Sequence, residues 1–387
     1  MIDTAVYPTL CPALASGEWA EVQCAILQDS PPEALADWLT QQEIGALAYM
    51  RLKEANLAVP LQTALAPVYW QSAAATAVKL ELLARLQTAF AAVGVETVLL
   101  KGIAFCLTLY PDPAVRPMND LDLWLQPADL PAAWRMMAGQ GFHDKGLWPD
   151  VTAIPEHITQ LDFYPGDLKT SPLSVELHWD LSQREGVRGR LPLARWWAEA
   201  VCIPWRGQLL RVLSPGAALV HTAVHQFLEH RAEIRWRWLL DIDQLVRGRP
   251  AYHLSPVDWQ QVAADADAAG VLPAVQAALR LVARELATPL PEPALTLLAQ
   301  ESDPAQCQLA RYIANPHRST AGKVLLNAQN TPGWRQKTAV ILPTFFPHPT
   351  YMMQRYHIRH KALLPIYYLA RLLKGAVTAL KPVIRKS

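Results

Sequence analysis

Between Leu173 and Trp179 apolar and polar side chains alternate: Leu173, Val175, Leu177 and Trp179 interleave with Ser174, Glu176 and His178. A period of two predicts a half-buried strand with one apolar face. Further strands are predicted near 97–100, 119–125, 142–147 and 158–164, and Pro165-Gly166-Asp167 reads as the turn of a hairpin leading to the 173–179 strand. Elsewhere the apolar spacing is three and four, which predicts helices over 47–57 and 61–93, with Pro67 expected to kink or restart the second. Ser30-Pro31-Pro32-Glu33 is expected to cap an earlier helix. Short helices are predicted at 103–110 and 127–139, the latter ended by Gly139-Gln140-Gly141. From Ser214 onward the pattern is helical throughout: one helix starts at Pro215, a second runs over 231–246, and others lie near 256–269, 271–287 and 290–301.

This pattern divides the chain into a helical region (1–90), an α/β region (91–212), a helical domain (213–303) and a basic helical segment (304–387). The predicted class is α+β. A hydrophobic share of 51% against 18% charged residues fits a well-buried globular protein. The net charge of +1 hides an asymmetry: residues 304–387 carry thirteen Lys or Arg and no acid, leaving 22 basic against 34 acidic residues upstream. Such a segment meets nucleic acid, a membrane surface or the acidic body itself. Its dense apolar content between Tyr351 and Leu373 favours packing on the body; nucleic acid is the less favoured partner. Five scattered cysteines without a CxxC argue against zinc and against a disulfide framework. No secretory leader and no membrane span is expected, so the default location is the cytoplasm.

The candidate chemistry lies between Val98 and Leu125. An apolar run leads into Lys101-Gly102, then Arg116, then Asp120-x-Asp122. Carboxylates two residues apart on a strand share a face, with Leu121 and Leu123 pointing the other way. If the strand carrying Glu176 lies alongside, three carboxylates converge as an oxygen-ligand set for divalent metal. Asp162 and Asp180 compete with Glu176 for the third place. Glu176 is preferred because it lies mid-strand in the clearest alternating segment.

In order, Lys101-Gly102, Arg116, Asp120-x-Asp122 and Glu176-Leu177-His178-Trp179 resemble the nucleotidyltransferase superfamily of DNA polymerase beta-like fold, most closely a poorly characterised bacterial branch labelled nucleotidyltransferase family protein. The resemblance covers about 91–181 well and extends more loosely to about 270. It implies a mixed sheet with flanking helices followed by an all-helical domain. It also implies Mg²⁺- or Mn²⁺-dependent transfer of a nucleoside monophosphate from a nucleoside triphosphate such as ATP to an acceptor hydroxyl of a small molecule, a peptide or an RNA end. By resemblance Asp120, Asp122 and Glu176 hold metal, and Lys101, Gly102 and Arg116 hold phosphates. The chain departs from the pattern in lacking a serine in the glycine turn and in having Glu as the third acid. The alternatives are therefore a non-catalytic nucleotide-binding or scaffold module, or an RNA-binding protein.

The remaining candidates have two readings each. Asn119 shapes the turn or hydrogen-bonds substrate. His178, counted with the nucleotide-binding residues, orients a carboxylate ligand or binds metal directly, and orientation is preferred. His221, His225 and Glu229 share a helix face without a His-Glu-x-x-His motif, which favours a polar stripe over metal. Trp236 and Trp238, among Arg235 and Arg237, are core and rim in preference to a base-stacking platform.

Overall fold

The computed structural model describes residues 4–144, 150–154, 158–166, 173–183, 187–230, 235–248, 254–301, 333–347, 349–356, 358 and 360–372. Five helices come first: α1 (Cys11–Ser16), α2 (Glu21–Asp29), α3 (Pro32–Gln41), α4 (Gly45–Glu54) and α5 (Val59–Ala92). The first residue of α3 follows Pro31, which has no capping side chain. The fixed φ of the prolines starts this helix, and no side-chain cap from Ser30 is made. α5 is one continuous helix of 34 residues through Pro67, about 51 Å long, so the expected restart does not occur. A proline removes one helical hydrogen bond. The burial of Leu61, Leu65, Leu80, Leu83, Leu86 and Phe90 along α5 outweighs that loss.

The α/β part contributes β1 (Val98–Leu99), α6 (Lys101–Thr108), β2 (Asp120–Trp124), α7 (Leu130–Gly139), β3 (Phe142–His143), β4 (Gln160–Pro165), β5 (Ser174–His178), α8 (Leu193–Ala198), β6 (Val201–Trp205) and β7 (Gln208–Val212). All seven strands form one mixed sheet in the order β3-β4-β5-β2-β1-β7-β6. The expected strand over 142–147 is limited to β3 among the described residues, since 145–149 lie outside them. β6 and β7 were not expected. They form an antiparallel hairpin through Arg206-Gly207, both at positive φ, the geometry that two-residue hairpin turns require. β6 lies at the sheet edge, where Pro204 lacks only a donor that no neighbouring strand needs.

One face of the sheet is apolar: Leu121 and Leu123, Val175 and Leu177, and Leu161 and Phe163 are all buried. α7 covers part of this face, with Trp134 edge-on to Phe163 at 5.9 Å. The opposite face carries the polar phase of β2, β4 and β5.

The helical part comprises α9 (Pro215–Val224), a π-helical turn (His225–Glu229), α10 (Trp236–Arg247), α11 (Trp259–Ala268), α12 (Leu272–Leu286) and α13 (Glu292–Ala299). The first quarter of the expected 231–246 helix, residues 231–234, lies outside the described residues. In the C-terminal segment α14 (Trp334–Phe345) and α15 (Pro349–Arg355) follow. In this segment Met352 and Ile358 are buried, whereas Trp334, Phe346, Ile366 and Leu369 are exposed. Residues 302–332 and 373–387, on which the rest of the packing expectation rests, lie outside the described residues.

α10 is tied to the sheet region by a buried ion pair. Arg116 donates from Nε to Asp241 Oδ1 at 2.8 Å and from Nη2 to Oδ2 at 2.6 Å, and Tyr110 donates its hydroxyl to Oδ1 at 3.0 Å. Both charged groups are almost wholly out of solvent. Removing one partner of such a pair leaves a buried charge uncompensated, at about 3–5 kcal/mol. Arg116→Met and Asp241→Asn are therefore each expected to lower unfolding free energy by about 3–5 kcal/mol. The double variant Arg116→Met/Asp241→Leu should recover much of it. Denaturant unfolding of the three variants checks this, and single losses below about 1 kcal/mol would show that the pair is not what ties the two parts together.

Candidate functional site

β2 and β5 run parallel as neighbours, with Asp122 paired to Glu176 and Trp124 to His178. β4 lies antiparallel on the other side of β5, placing Asp162 opposite Glu176 and Gln160 opposite His178. The period of two then puts Asp120, Asp122, Glu176, His178 and Gln160 on one face. Asp122 Oδ1 accepts from Lys101 Nζ at 2.7 Å and lies 2.8 Å from His178 Nε2. The same imidazole nitrogen is 3.5 Å from Glu176 Oε2, which also accepts from Gln160 Nε2 at 2.8 Å.

The expected trio was Asp120, Asp122 and Glu176. The group of ligand atoms found within 4.8 Å of one another is Asp122, Glu176 and His178. Asp120 stands two residues along the strand, some 6.5–7 Å of backbone away, while the long imidazole of His178 reaches diagonally to Asp122. No other such group of three occurs among the described residues; the Glu229 side chain, third member of the expected His221–His225–Glu229 face, lies outside them.

The charges on this face bias one another. Burial opposes ionisation of Asp122, but Lys101 and His178 outweigh it and hold the carboxyl well below its usual range. Burial likewise disfavours the Lys101 and His178 cations. The negative charges and hydrogen bonds of Asp122 and Glu176 nevertheless raise both above their ordinary values. Asp120 makes no such hydrogen bond among the described residues, and Lys101 and His178 lower it only in part. Burial, then the charges of Asp122 and Glu176, push it up to about 7.

Across from the acid face stand α9, the π turn and the start of α10. Together they enclose a cleft of about 440 Å³. His221, His225, His230, Arg235, Arg237 and Trp238 line this second wall. Single π turns inside helices occur often at functional sites. His225 and His230 bring their Nε2 atoms to 3.2 Å, and Trp238 lies edge-on to His225 at 5.1 Å. The Arg235 guanidinium covers the Trp238 ring at 4.8 Å. Trp236 is instead buried beside Trp38, with ring centroids 6.4 Å apart. Trp238 is buried as well, but at the cleft wall.

Lys101 opens α6 at φ +44°, a left-handed conformation unusual for a residue with a side chain. The glycine expected to give room to phosphate is filled by its own neighbours: a Cβ on Gly102 would lie 3.0 Å from Met118 Cβ and 3.5 Å from Arg116 Nη1. That space serves close packing of α6 on the 116–118 segment. Arg116 was expected at the phosphates. Its Nε and Nη2 are bound to Asp241 and its Nη1 donates to the Pro117 carbonyl at 2.6 Å, so the guanidinium is committed to holding the fold. Asn119 is exposed at the cleft mouth. Asp180 lines the cleft but accepts from the backbone N–H groups of Ser182 and Gly189, as a turn residue does.

Four residues at or near the site were not singled out for these positions. Gln160 fixes Glu176, and its signal was its place in the polar phase of the 158–164 strand. Thr159 lines the cleft with a buried hydroxyl that has no hydrogen-bond partner among the described residues. Lys79 of α5 is 6% exposed; burial lowers its pKa, and Asp120 counters this. Arg237 reaches the cleft from α10.

Burial, then the nearby Lys101 and His178, bring His221 down to about 3 from 6.5. The folded protein therefore keeps this imidazole neutral over a range where the unfolded chain protonates it. Its contribution is fully present above about pH 6.5 and is lost as pH falls towards 3, at about 1.4 kcal/mol per pH unit. Unfolding free energy should fall by about 2 kcal/mol from this group between pH 6.5 and about 5. His221→Asn should flatten that limb, and an unchanged slope in denaturant titrations at both pH values would refute the assignment.

No curated protein and no solved structure matches the chain. A family model described as an uncharacterised nucleotidyltransferase matches residues 28–287, a span that takes in the acid face, the cleft and most of the helical wall. No helix among the described residues is long and apolar enough to cross a membrane. The strand-turn-helix at Lys101, the Asp-x-Asp strand, the adjacent Glu176 strand and the match over two thirds of the length agree, and the chain belongs to the family of uncharacterised nucleotidyltransferases.

Proposed function

We propose that this protein transfers a nucleoside monophosphate from a nucleoside triphosphate to an acceptor hydroxyl with the help of Mg²⁺ or Mn²⁺. The observation that carries this reading is the pairing of Asp122 with Glu176 on adjacent parallel strands, with Asp120 on the same face and a cleft in front. The donor set suits the ion: carboxylate oxygens are what Mg²⁺ prefers, and the Asp122 and Glu176 oxygens lie close enough to share one cation. Asp122 and Glu176 would hold it, with Asp120 beside them on the same face, and His178 and Gln160 would orient the Asp122 and Glu176 carboxylates through the hydrogen bonds already present.

Bound metal would neutralise charge on the α-phosphate and the leaving pyrophosphate. The chain's own residues supply the rest. The acceptor oxygen forms a bond to the α-phosphorus, the bond to the β-phosphate oxygen breaks, and the acceptor proton passes to a carboxylate of the acid face. Lys101 would contribute positive charge beside that face. Walls from the sheet and from α9–α10 exclude bulk water.

A second reading has one observation in its favour. Lys101 Nζ sits 2.7 Å from the Asp122 oxygen that a metal would use, in a turn without serine. A non-catalytic module that binds nucleotide and scaffolds partners would tolerate that arrangement.

Magnesium should raise affinity for a nucleoside triphosphate at least tenfold in calorimetric titration. Asp120→Asn and Glu176→Gln should each abolish this enhancement and reduce Mg²⁺-dependent pyrophosphate release roughly 100-fold or more, with melting temperatures close to wild type. Binding without any pyrophosphate release, in the presence of a cell extract as acceptor source, would select the non-catalytic module. Equal binding with and without Mg²⁺, together with unchanged variants, would remove the acid face from the function.

A further inference from the structure

The cleft has cations on both walls, but two of them are already engaged. Lys101 is bound to Asp122 and Arg116 to Asp241. Arg237 differs. It is 7% exposed and lines the cleft, and its Nε is buried with no hydrogen-bond partner among the described residues. Its Nη1 makes two contacts of 3.2 Å, to Glu43 Oε1 and to the Pro117 carbonyl. An arginine presents five donors, so this site leaves it under-satisfied while largely removed from water. Burial, and then the neighbouring Arg116 cation, lower its pKa to about 10. Both effects mark a place where an anion would be stabilising.

The backbone adds to this. Arg237 stands in the first turn of α10, a helix of twelve residues. The N-cap residue is Arg235, no side-chain cap is made among the described residues, and the first turn holds no acid. Helix starts are ordinarily finished by a hydroxyl or carboxylate that accepts from the free N–H groups. Here the residues at the start are two arginines that line the cleft. A helix N-terminus with uncapped N–H groups favours negative charge, phosphate above all.

We propose that the first turn of α10, anchored by Arg237, holds the β- and γ-phosphates of the nucleoside triphosphate. This rests on the transfer reading above and adds the residues that grip the outer phosphates. The acid face holds the metal side of the triphosphate, and α10 faces its outer oxygens from across the cleft. Arg237 therefore takes the part that the serine-free turn at Lys101-Gly102 and the committed Arg116 do not perform.

The test uses the full chain with Mg²⁺ and three ligands: inorganic tripolyphosphate, ATP and AMP. Arg237→Met should weaken tripolyphosphate and ATP binding at least tenfold and change AMP binding less than twofold. Arg237→Lys, which keeps the charge but loses the planar fork, should fall between. Glu43→Gln removes the same ion pair while keeping the cation, so it controls for a structural effect and should retain tripolyphosphate binding. Tripolyphosphate should also raise the melting temperature of wild type and not that of Arg237→Met. Equal losses for AMP and ATP, a Glu43→Gln variant that reproduces the Arg237→Met loss, or tripolyphosphate binding untouched by Arg237→Met would each overturn the proposal. Pyrophosphate release by wild type, measured separately, decides the transfer reading. A wild type that transfers nucleotide but fails these tests loses only the α10 assignment. A wild type that holds tripolyphosphate through Arg237 without transferring keeps the phosphate site and loses the reaction.

Discussion

The two-point contact of Arg116 with Asp241 fixes the geometry on which the cleft depends. Arg116 lies four residues before Asp120, the first carboxylate of the acid face, and Asp241 lies inside the helix that forms the facing wall. Because both groups are buried, neither can be left alone without exposing the other to a large desolvation penalty, and the two walls hold one separation. Tyr110 adds its hydroxyl to the same carboxylate, so the end of α6, the approach to β2 and the middle of α10 meet at a single oxygen. The acid face and the basic wall are opposite charges held apart by a third, neutralised pair.

That arrangement sorts the cations by task. One guanidinium is structural, one ammonium balances the acid face, and one guanidinium lies across the cleft with donors to spare. The sorting follows from partners. Arg116 and Arg237 have the same chemistry and both donate to the Pro117 carbonyl, but a fully buried aspartate is paired with the first and a partly exposed glutamate with the second.

Much of the site was legible along the chain because strand periodicity is local. The alternation around Glu176 and the Asp-x-Asp spacing put the right carboxylates on one face, and the order of motifs gave the mixed sheet. What escaped depends on residues far apart or on competition for partners. Nothing near Arg116 signals that an aspartate 125 residues later binds it. The place of His178 beside Asp122 and Glu176 depends on side-chain length and a diagonal neighbour, which a face assignment does not resolve. β6 and β7 have weak alternation, and the Arg-Gly pair between them was the only local sign of a hairpin. Pro67 misled because a breaker weighs little inside a long, well-packed helix.

The order of strands also has a consequence in time. β2, β4 and β5 are joined by short stretches of chain, so the acid face can form from a segment of about sixty residues. β1 sits in the middle of the sheet, yet one of its two neighbours, β7, arrives more than a hundred residues later. Closing so long a loop is entropically slow and offers no reward until both ends meet. As the chain leaves the ribosome, the carboxylates are therefore gathered well before the wall that faces them, and the cleft exists only once α10 has emerged and docked. A nascent chain interrupted between these events would carry the acid face without a partner surface, open to water on the side that the helical wall later covers.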